Sequence, residues 1–368
     1  MEQDILALRE SILAAVAART PLRLRGGGTK DWYGQALEGA VLDTRTHAGI
    51  IDYEPTELVI SARCGTPLSE IAAVLAAQHQ MLAFDPPHFG PQATIGGAVA
   101  TGLSGPARAS VGSLRDFVLG AVLLDGGGQV LHFGGQVMKN VAGYDVSRLL
   151  AGSLGTLGLI LEMSLKVLPK PIAESTVQLA MPQAQAIDRL NAWGGQPLPL
   201  AASLWQDDVL TLRLAGAEAA VSAGKRKIGG ETIDGARFWE AAREQTLPFF
   251  ADARDAIGRD GSDHGDTTGM LPTWRLSVPA TSAPLDLSGP QLIEWGGAQR
   301  WLRSNAPAEK IRAIVNAAGG HATLFRGGDK AVGVFQPLAP AVARIHRHLK
   351  QAFDPAGIFN PGRMYPDL

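Results

Sequence analysis

The first part of the chain alternates between helical spacing of apolar residues and short apolar runs. The opening stretch MEQDILALRESILAAVAARTPLRL spaces its apolar positions as an amphipathic helix does. The runs AVLDTRTHAGIIDYEP and ELVISARCGTPL are rich in Val and Ile and are bounded by turn residues, which predicts strands. The segment LSEIAAVLAAQHQ predicts a second amphipathic helix, with one side formed by Leu68, Ile71, Ala72, Leu75 and Ala76.

A hairpin and a helix–turn–strand unit follow. The two apolar runs of FVLGAVLLDGGGQVLHF meet around Asp125 and Gly126, a dipeptide typical of tight hairpin turns. The segment GYDVSRLLAGSLGTLGLILEMSLKVLPKP predicts a short helix, a glycine turn and a long buried strand. We expect Asp145 to cap that helix and Gly152 to end it.

The pattern changes from about residue 172. Strand, helix, strands and helix follow one another, and further strands are predicted in TWRLSVP, QLIEWGGAQRWLRS and HATLFRGG. Residues 250–272 are polar and rich in Gly and Asp, so we interpret them as a surface loop. This order predicts an α+β domain in which helices cover one face of an antiparallel sheet.

Composition narrows the class of protein. The 368 residues are enough for two domains. The net charge is −2 and no basic run is present, which argues against nucleic-acid binding. The single cysteine, Cys64, excludes an intrachain disulfide and a cysteine-ligated metal or cluster in this chain. The N-terminus lacks the basic start of a signal peptide, and no window approaches 18 uninterrupted apolar residues, so we expect a cytoplasmic protein.

Two glycine clusters carry the candidate chemistry. In RGGGTK, Arg25 to Lys30, three glycines after a predicted strand let successive N–H groups point at an anion, and Thr29 adds a hydroxyl. The loop has neither the P-loop nor the Rossmann spacing, and a plain glycine turn is the alternative. The second cluster is DPPHFGPQATIGGAVATGLSG, with GSLGTLG as its companion. Because each glycine costs about 0.5–1 kcal/mol relative to alanine in regular structure, we interpret this second cluster as a main-chain surface for a large ligand.

The motifs together resemble a known family. RGGGT, DPP…TIGGAVATGLSGP…GSLRDFVLGAVLLDGGG, KNVAGYDVSRLLAGSLGTLGLI and FDPAGIFNPGR stand in the order seen in FAD-linked oxidases of the vanillyl-alcohol oxidase type. The resemblance covers about residues 20–170 and the last 20 residues. It implies a two-subdomain FAD-binding domain of the PCMH type at residues 1–171 and an α+β cap domain with an antiparallel sheet at residues 172–335. Residues 336–368 would form a helix and tail returning to the FAD domain.

The same resemblance implies a set of FAD-binding residues. Those expected to hold the pyrophosphate are Arg25, Gly26, Gly27, Gly28 and Thr29. Those expected to line the flavin and the rest of the diphosphate are Pro86, Thr94, Gly96, Gly97, Thr101, Ser104 and Gly105. Those expected to continue toward the adenosine are Gly112, Asp116, Gly155, Gly158 and Ile160, and Asn360 would close over the ring. Relatives that attach FAD covalently use His or Cys where this chain reads GGGTK and ARASVGS, so the resemblance implies non-covalent FAD.

The catalytic residues of the family's hydroxy-acid dehydrogenases are missing. Those enzymes carry a histidine motif similar to HxGDGNxH, whereas this chain has HATLFRGG near that place. His264 in SDHGD and the helical pair His346 and His348 are weak substitutes. We therefore assign no catalytic base and no metal site from the sequence.

The segments LPTWRLSVP and LIEWGGAQRWL are similar to those of the smaller FAD-binding subunits of bacterial glycolate oxidase complexes. This implies an oxidoreductase subunit that takes part in oxidising glycolate to glyoxylate and passes electrons through flavin. Its expected partners are a larger FAD-binding subunit and an iron–sulfur subunit, and the complex could hold it at the inner membrane. Two alternatives stay open. One is a self-sufficient dehydrogenase in which Arg275, Arg326 or Arg363 binds the substrate carboxylate; the other is a scaffold subunit in which any FAD is structural.

Overall fold

The computed structural model describes residues 2–135, 145–251 and 271–368. The helices are α1 (Glu2–Ala18), α2 (Leu68–Ala77), α3 (Ile95–Thr101), α4 (Arg108–Val111), α5 (Leu114–Phe117), α6 (Val146–Leu149), α7 (Gln183–Gly194), α8 (Glu218–Ile228), α9 (Gly235–Arg243), α10 (Ala308–Ala317) and α11 (Pro340–Phe353). The strands are β1 (Leu22–Arg25), β2 (Ala40–Asp43), β3 (Ile50–Glu54), β4 (Val59–Arg63), β5 (Gln80–Met81), β6 (Val118–Leu124), β7 (Val130–Gly134), β8 (Leu159–Lys166), β9 (Leu168–Pro169), β10 (Ala173–Ala180), β11 (Leu200–Gln206), β12 (Val209–Gly216), β13 (Glu231–Ile233), β14 (Thr273–Ser277), β15 (Gln291–Glu294), β16 (Gln299–Arg303) and β17 (His321–Arg326). Of the predicted surface loop, residues 252–270 lie outside the described residues.

A five-stranded sheet organises the first part of the chain, in the order β3-β4-β8-β6-β7. The predicted hairpin is confirmed: β6 and β7 pair antiparallel, and Asp125 Oδ1 accepts hydrogen bonds from the N–H groups of Gly127 and Gln129 across the turn. The predicted cap is also confirmed, since the Asp145 side chain accepts a hydrogen bond from the N–H of Arg148 at the start of α6. Helices α2 and α3 pack against this sheet in one hydrophobic core.

Helix α3 lies within the glycine-rich segment Asp85 to Gly105, which does not show the apolar spacing of a surface helix and for which no helix was predicted. Thr94 caps this helix by accepting a hydrogen bond from the N–H of Gly97, and Gly102 ends it in a left-handed conformation. Ile95 and Val99 are fully buried. A helix enclosed on most sides needs no polar face, so the usual alternation of apolar and polar positions is absent.

The second part of the chain forms an eight-stranded sheet in the order β13-β10-β12-β11-β15-β16-β14-β17, with antiparallel pairing throughout. Helices α7, α8 and α10 cover one face. Successive residues of a strand point to opposite faces, so Trp274 and Leu302 pack under α10 while Trp301 packs on the other side. We call this other side the inner face, because it contacts Trp32 and Tyr33, which follow the glycine loop. The prediction that helices cover one face of an antiparallel sheet is confirmed by α7, α8 and α10.

The C-terminal tail returns to the first strand. The N–H of Leu22 donates to the carbonyl of Ile358, and the N–H of Asn360 donates to the carbonyl of Leu22. A buried ion pair between Lys350 and Asp354, 2.8 Å apart, stabilises this turn because Lys350 Nζ also donates to the carbonyl of Phe359. Among the described residues, each helix is too short or too polar to cross a bilayer.

Candidate cofactor site

The glycine loop begins where β1 ends. Strand β1 pairs parallel with β2, which places Arg25 opposite Asp43. Arg25 Nε lies 2.7 Å from Asp31 Oδ2, so an ion pair connects the two ends of the loop. Gly28 adopts φ +71°, a left-handed conformation that favours glycine.

The backbone amides of this loop have no internal partner. The N–H groups of residues 26–29 have no hydrogen-bond acceptor among the described residues. They border a cavity of about 80 Å³, which we call the glycine-loop cavity. Unpaired backbone donors are uncommon in folded proteins unless water or a ligand accepts their hydrogen bonds. A loop of such donors is typical of an anion-binding nest.

The structure brings half of the predicted residues together around this cavity. They are Arg25, Gly26, Gly27, Gly28, Thr29, Thr94, Gly97, Thr101 and Asn360. Lys30, Asp31, Leu154 and Arg363 line it as well, although the sequence reading assigned none of them to the cofactor. The loop residues and Asn360 are 330 or more positions apart in the chain, and the fold unites them through the returning tail.

Lys30 is the main addition to the site. Its side chain is 8% exposed, and Nζ donates to the carbonyl of His88 at 3.2 Å and contacts Thr29 Oγ1 at 3.4 Å. No carboxylate of the described residues pairs with it at salt-bridge distance. Burial lowers the pKa of Lys30 to about 8, against an opposing effect of the Glu244 charge. A buried ammonium held by neutral oxygens favours a bound anion nearby.

Asn360 fixes the other side of the cavity. Its Nδ2 donates to the carbonyl of Leu154 at 2.6 Å, and its Oδ1 accepts from the N–H of Leu24 at 2.9 Å. Both ends of the amide are therefore occupied by the protein. Asn360 holds three segments of chain around the cavity and leaves its shape well defined.

The N-terminus of α3 does not offer free donors to a ligand. The N–H groups of Ile95 and Gly96 donate to the carbonyls of Thr66 and Cys64, and that of Gly97 donates to Thr94 Oγ1. An anion at the cavity would therefore be held by the glycine loop and Lys30, with Gly97 and Thr101 forming the opposite wall.

Much of the glycine content has a different cause from the one expected. A Cβ on Gly27 would lie 1.6 Å from the carbonyl oxygen of Gln92, and one on Gly105 would lie 2.3 Å from that of Asp85. A Cβ on Gly96 would meet the Cβ of Cys64 at 2.6 Å. These glycines let segments of the protein backbone pack on one another. Gly97 differs, because its added Cβ would contact only Thr94 Oγ1, at 3.3 Å.

Two predicted residues line a separate cleft. Ser104 and Gly105 line this cleft together with Glu294 and Arg275 from the inner face of the eight-stranded sheet. Ser104 Oγ accepts a hydrogen bond from the N–H of Leu114, and the carbonyl of Gly105 accepts one from Trp295 Nε1. We call this space the inner-face cleft.

Seven predicted residues line neither space, and their cofactor role stays a prediction. They are Pro86, Gly96, Gly112, Asp116, Gly155, Gly158 and Ile160. Ile160 is buried in the core of the five-stranded sheet, and Asp116 forms the capping box of α5 with Ser113. A Cβ on Gly155 would meet Asn360 Nδ2 at 2.7 Å, so this glycine lets Asn360 reach its partners.

The proposed carboxylate-binding arginines occupy different surroundings. Arg363 donates to the carbonyls of Gln35 and Asp31 and so anchors the tail. Arg326 stacks on the ring of Trp32, 4.1 Å from its centroid. Arg275 lines the inner-face cleft and donates one hydrogen bond of 3.3 Å, to the hydroxyl of Tyr33. Of these three side chains, Arg275 is the one placed for a small ligand.

The histidines suggested by the sequence contribute little. His264 lies outside the described residues. His346 lies on α11 and contacts the ring of Tyr365 in the C-terminal tail. His348 is exposed on the same helix, and neither histidine lines either space. No group of three His, Cys, Asp or Glu suited to a metal occurs within the described ranges.

The residues present fit the diphosphate of a dinucleotide. The site offers unpaired N–H groups and a buried ammonium, and Asp31 is the one carboxylate among its lining residues. These features suit two adjoining phosphates.

The described part of the motif KNVAGYDVSRLL starts at Asp145, since residues 136–144 lie outside the described residues.

Three comparisons with known proteins bear on the site. The model of the FAD binding domain family matches residues 3–134. The chain is 47% identical over 362 residues to "Glycolate oxidase subunit GlcE" of Escherichia coli strain K12, covering 98% of this chain and 97% of that protein. It is 34% identical over 179 residues to "D-lactate dehydrogenase" of Archaeoglobus fulgidus, which is 46% of this chain but only 38% of that enzyme.

Among solved structures, alkyldihydroxyacetonephosphate synthase superposes with a TM-score of 0.62 and 16% sequence identity. The match covers 96% of this chain and 75% of that one. At this identity the likeness concerns the fold. The predicted fold class, an FAD-binding domain with an α+β part built on an antiparallel sheet, is confirmed.

Proposed function

Because the chain belongs to the family of FAD-linked oxidoreductases that contains the glycolate oxidase subunit GlcE, we propose that it is an FAD-binding subunit of a complex that oxidises glycolate to glyoxylate. Residues 1–171 bind the cofactor, residues 172–335 cover it, and residues 336–368 return to close the site. Its proposed partners are a larger FAD-binding subunit and an iron–sulfur subunit. Since this chain has a single cysteine, a cysteine-ligated cluster would lie on a partner.

The glycine-loop cavity carries the proposal. The free N–H groups of residues 26–29 and the ammonium of Lys30 bind the diphosphate, and Thr29 can add its hydroxyl. Thr94, Gly97 and Thr101 form the wall beside it, and Asn360 holds that wall in place through Leu24 and Leu154. FAD, when bound, supplies two-electron oxidation and can release those electrons one at a time.

The FAD is held without a covalent bond in this proposal. The side chains of the cavity offer no histidine or cysteine for attachment. Cys64 is 2% exposed, and burial raises the pKa of its thiol to about 12, so it is a poor nucleophile.

The first experiment is to purify the chain, load it with FAD and record its visible spectrum, then denature it with acid. Released flavin in the supernatant supports non-covalent binding, whereas flavin that stays with the precipitate contradicts it. The complex is then assembled with both partner subunits and given glycolate without oxygen. Loss of the flavin absorbance of this subunit supports the electron-transfer role. An unchanged spectrum, with glycolate still consumed by the complex, would favour the scaffold alternative.

A further inference from the structure

The inner-face cleft contains a buried carboxyl group that has no cationic partner at salt-bridge distance among the described residues. Glu294 ends β15, and its side chain is 6% exposed. Burial of a carboxyl group without a cationic partner disfavours its charged form. A glutamine oxygen could accept the same two hydrogen bonds without any charge, so a glutamate at this buried position favours a chemical role.

The partners of Glu294 are neutral and meet one oxygen only. Trp301 Nε1 donates to Oε2 at 2.6 Å, and Gln299 Nε2 donates to the same atom at 3.0 Å. No donor among the described residues reaches Oε1. Both donors lie on β16, which pairs with β15 so that Gln299 stands opposite Glu294. The neighbouring strand therefore fixes Oε2 and leaves Oε1 available to the cleft.

The environment sets the protonation of this group. Burial raises the pKa of Glu294 to about 7, and the hydrogen bonds from Trp301 and Gln299 limit that rise. Besides Glu294, the charged side chains that line the cleft are Arg243 and Arg275. Arg243 is engaged by Glu244 at 2.8 Å, so Arg275 remains as the cation for a ligand. A proton acceptor is most effective when its pKa lies near the working pH.

The cleft lies against the segment expected to border the flavin. Leu103, Ser104 and Gly105 of this segment line the cleft together with Arg275 and Glu294 of the eight-stranded sheet. The cleft measures about 20 Å³, which is enough for one water molecule. This volume matches a single hydroxyl group beside Glu294 and is too small for a bulky side chain.

We infer that Glu294 accepts the hydroxyl proton of a small 2-hydroxy acid whose carboxylate is bound by Arg275, so that this subunit itself oxidises substrate. The inference rests on the proposed function. In the reaction the O–H bond and one C–H bond at C2 break and a C=O bond forms. The proton passes to the carboxylate of Glu294. The C–H hydrogen would leave with both electrons, and FAD held by the glycine loop would supply the two-electron oxidant that accepts them.

The first test measures the site without turnover. Infrared difference spectra of the FAD-loaded chain between about pH 5 and about pH 9 report buried carboxylic acids. We expect a band that titrates near neutral pH and is absent from Glu294→Gln but present in Glu240→Gln, which removes an exposed carboxyl of α9. Binding of oxalate, which has no hydrogen to lose, is measured by calorimetry. It should weaken about tenfold or more in Arg275→Met and stay unchanged in Arg226→Met on the exposed side of α8.

The second test follows reduction of the flavin by glycolate in the isolated FAD-loaded chain without oxygen. The rate should rise with pH to a plateau above about pH 7 and fall by about 10²–10⁴-fold in Glu294→Gln, with oxalate affinity retained. Equal rates in both proteins would overturn the inference. So would a flavin that glycolate cannot reduce in the isolated chain but does reduce in the assembled complex, a result that leaves the proposed function standing.

Discussion

The Nζ atom of Lys30 lies 3.2 Å from the carbonyl oxygen of His88, and this contact joins the glycine loop to the segment of residues 85–92. The same segment also binds the carboxylate of Glu244, because the N–H groups of His88 and Phe89 donate to it at 3.1 and 2.7 Å. Asp85 adds an ion pair of 2.6 Å with Arg213 of β12. The candidate cofactor site is thus tied directly to the eight-stranded sheet and its helices.

Replacing Lys30 with Met should weaken FAD binding by about 10- to 100-fold, because a charge-assisted hydrogen bond contributes about 1.5–3 kcal/mol. The apo protein should be no less stable, since a buried charge is removed. Quenching of flavin fluorescence gives the affinity, and Lys227→Met on the exposed side of α8 is the control. An unchanged dissociation constant would remove Lys30 from the cofactor site.

The affinity for FAD should also depend on pH through Lys30. The ammonium that attracts the diphosphate loses its proton as the pH rises through the pKa of about 8. The dissociation constant should therefore rise above about pH 8 in the wild type, with the midpoint moved upward by the bound anion. Lys30→Arg, which stays charged, should show no such rise in this range. A parallel rise in both proteins would point to another group.

Glu294 should make the stability of the protein depend on pH. Its folded pKa of about 7 lies above the value of 4.5 for an ordinary glutamate, so the folded state binds more protons between these two values. The contribution of Glu294 to the free energy of unfolding should therefore be largest below about pH 4.5. It should fall by up to about 3 kcal/mol as the pH rises to about 7. Glu294→Gln should remove this part of the dependence. Urea unfolding at several pH values measures it, and Glu240→Gln, which keeps the dependence, is the matched control.

The features that the sequence predicts depend on neighbouring residues in the chain, whereas those that it misses depend on contacts between distant segments. The glycine loop, the hairpin at Asp125 and the cap at Asp145 depend on local chain geometry, which residue order expresses directly. Helix α3 was missed because its stability comes from burial and not from periodicity. Glu294 was missed because in LIEWGGAQRWL it reads as an ordinary polar residue at a strand end. Only the pairing of β15 with β16 places Gln299 and Trp301 on its carboxylate.

Glu244 should prove important for joining the two sheets. Replacement with Gln leaves one oxygen for two backbone donors and turns an amide N–H₂ toward the N–H group of His88 or Phe89. We expect a loss of about 1–3 kcal/mol in the free energy of unfolding, the usual result of an unsatisfied buried donor. Glu240→Gln, four residues earlier on α9 and largely exposed, should cost about 0.5 kcal/mol or less. If the two variants unfold at the same urea concentration, the contact does not stabilise the fold.

A pair of glycine replacements separates packing from ligand binding. Gly97→Ala adds a methyl group that meets only Thr94 Oγ1 at 3.3 Å, within a helix and at the wall of the glycine-loop cavity. The variant should fold with a stability unchanged or raised by about 0.5–1 kcal/mol, since alanine favours helix, yet bind FAD about tenfold more weakly because the methyl group occupies ligand space.

Gly27→Ala should behave in the opposite way. Its methyl group would lie 1.6 Å from the carbonyl oxygen of Gln92, so the backbone must move for the chain to fold. We expect loss of soluble protein or a large fall in melting temperature, with or without FAD. Differential scanning calorimetry and a flavin titration on both variants measure the contrast. A Gly97→Ala protein that binds FAD as tightly as the wild type would show that the diphosphate lies away from α3, held by the loop of Gly26–Thr29 alone.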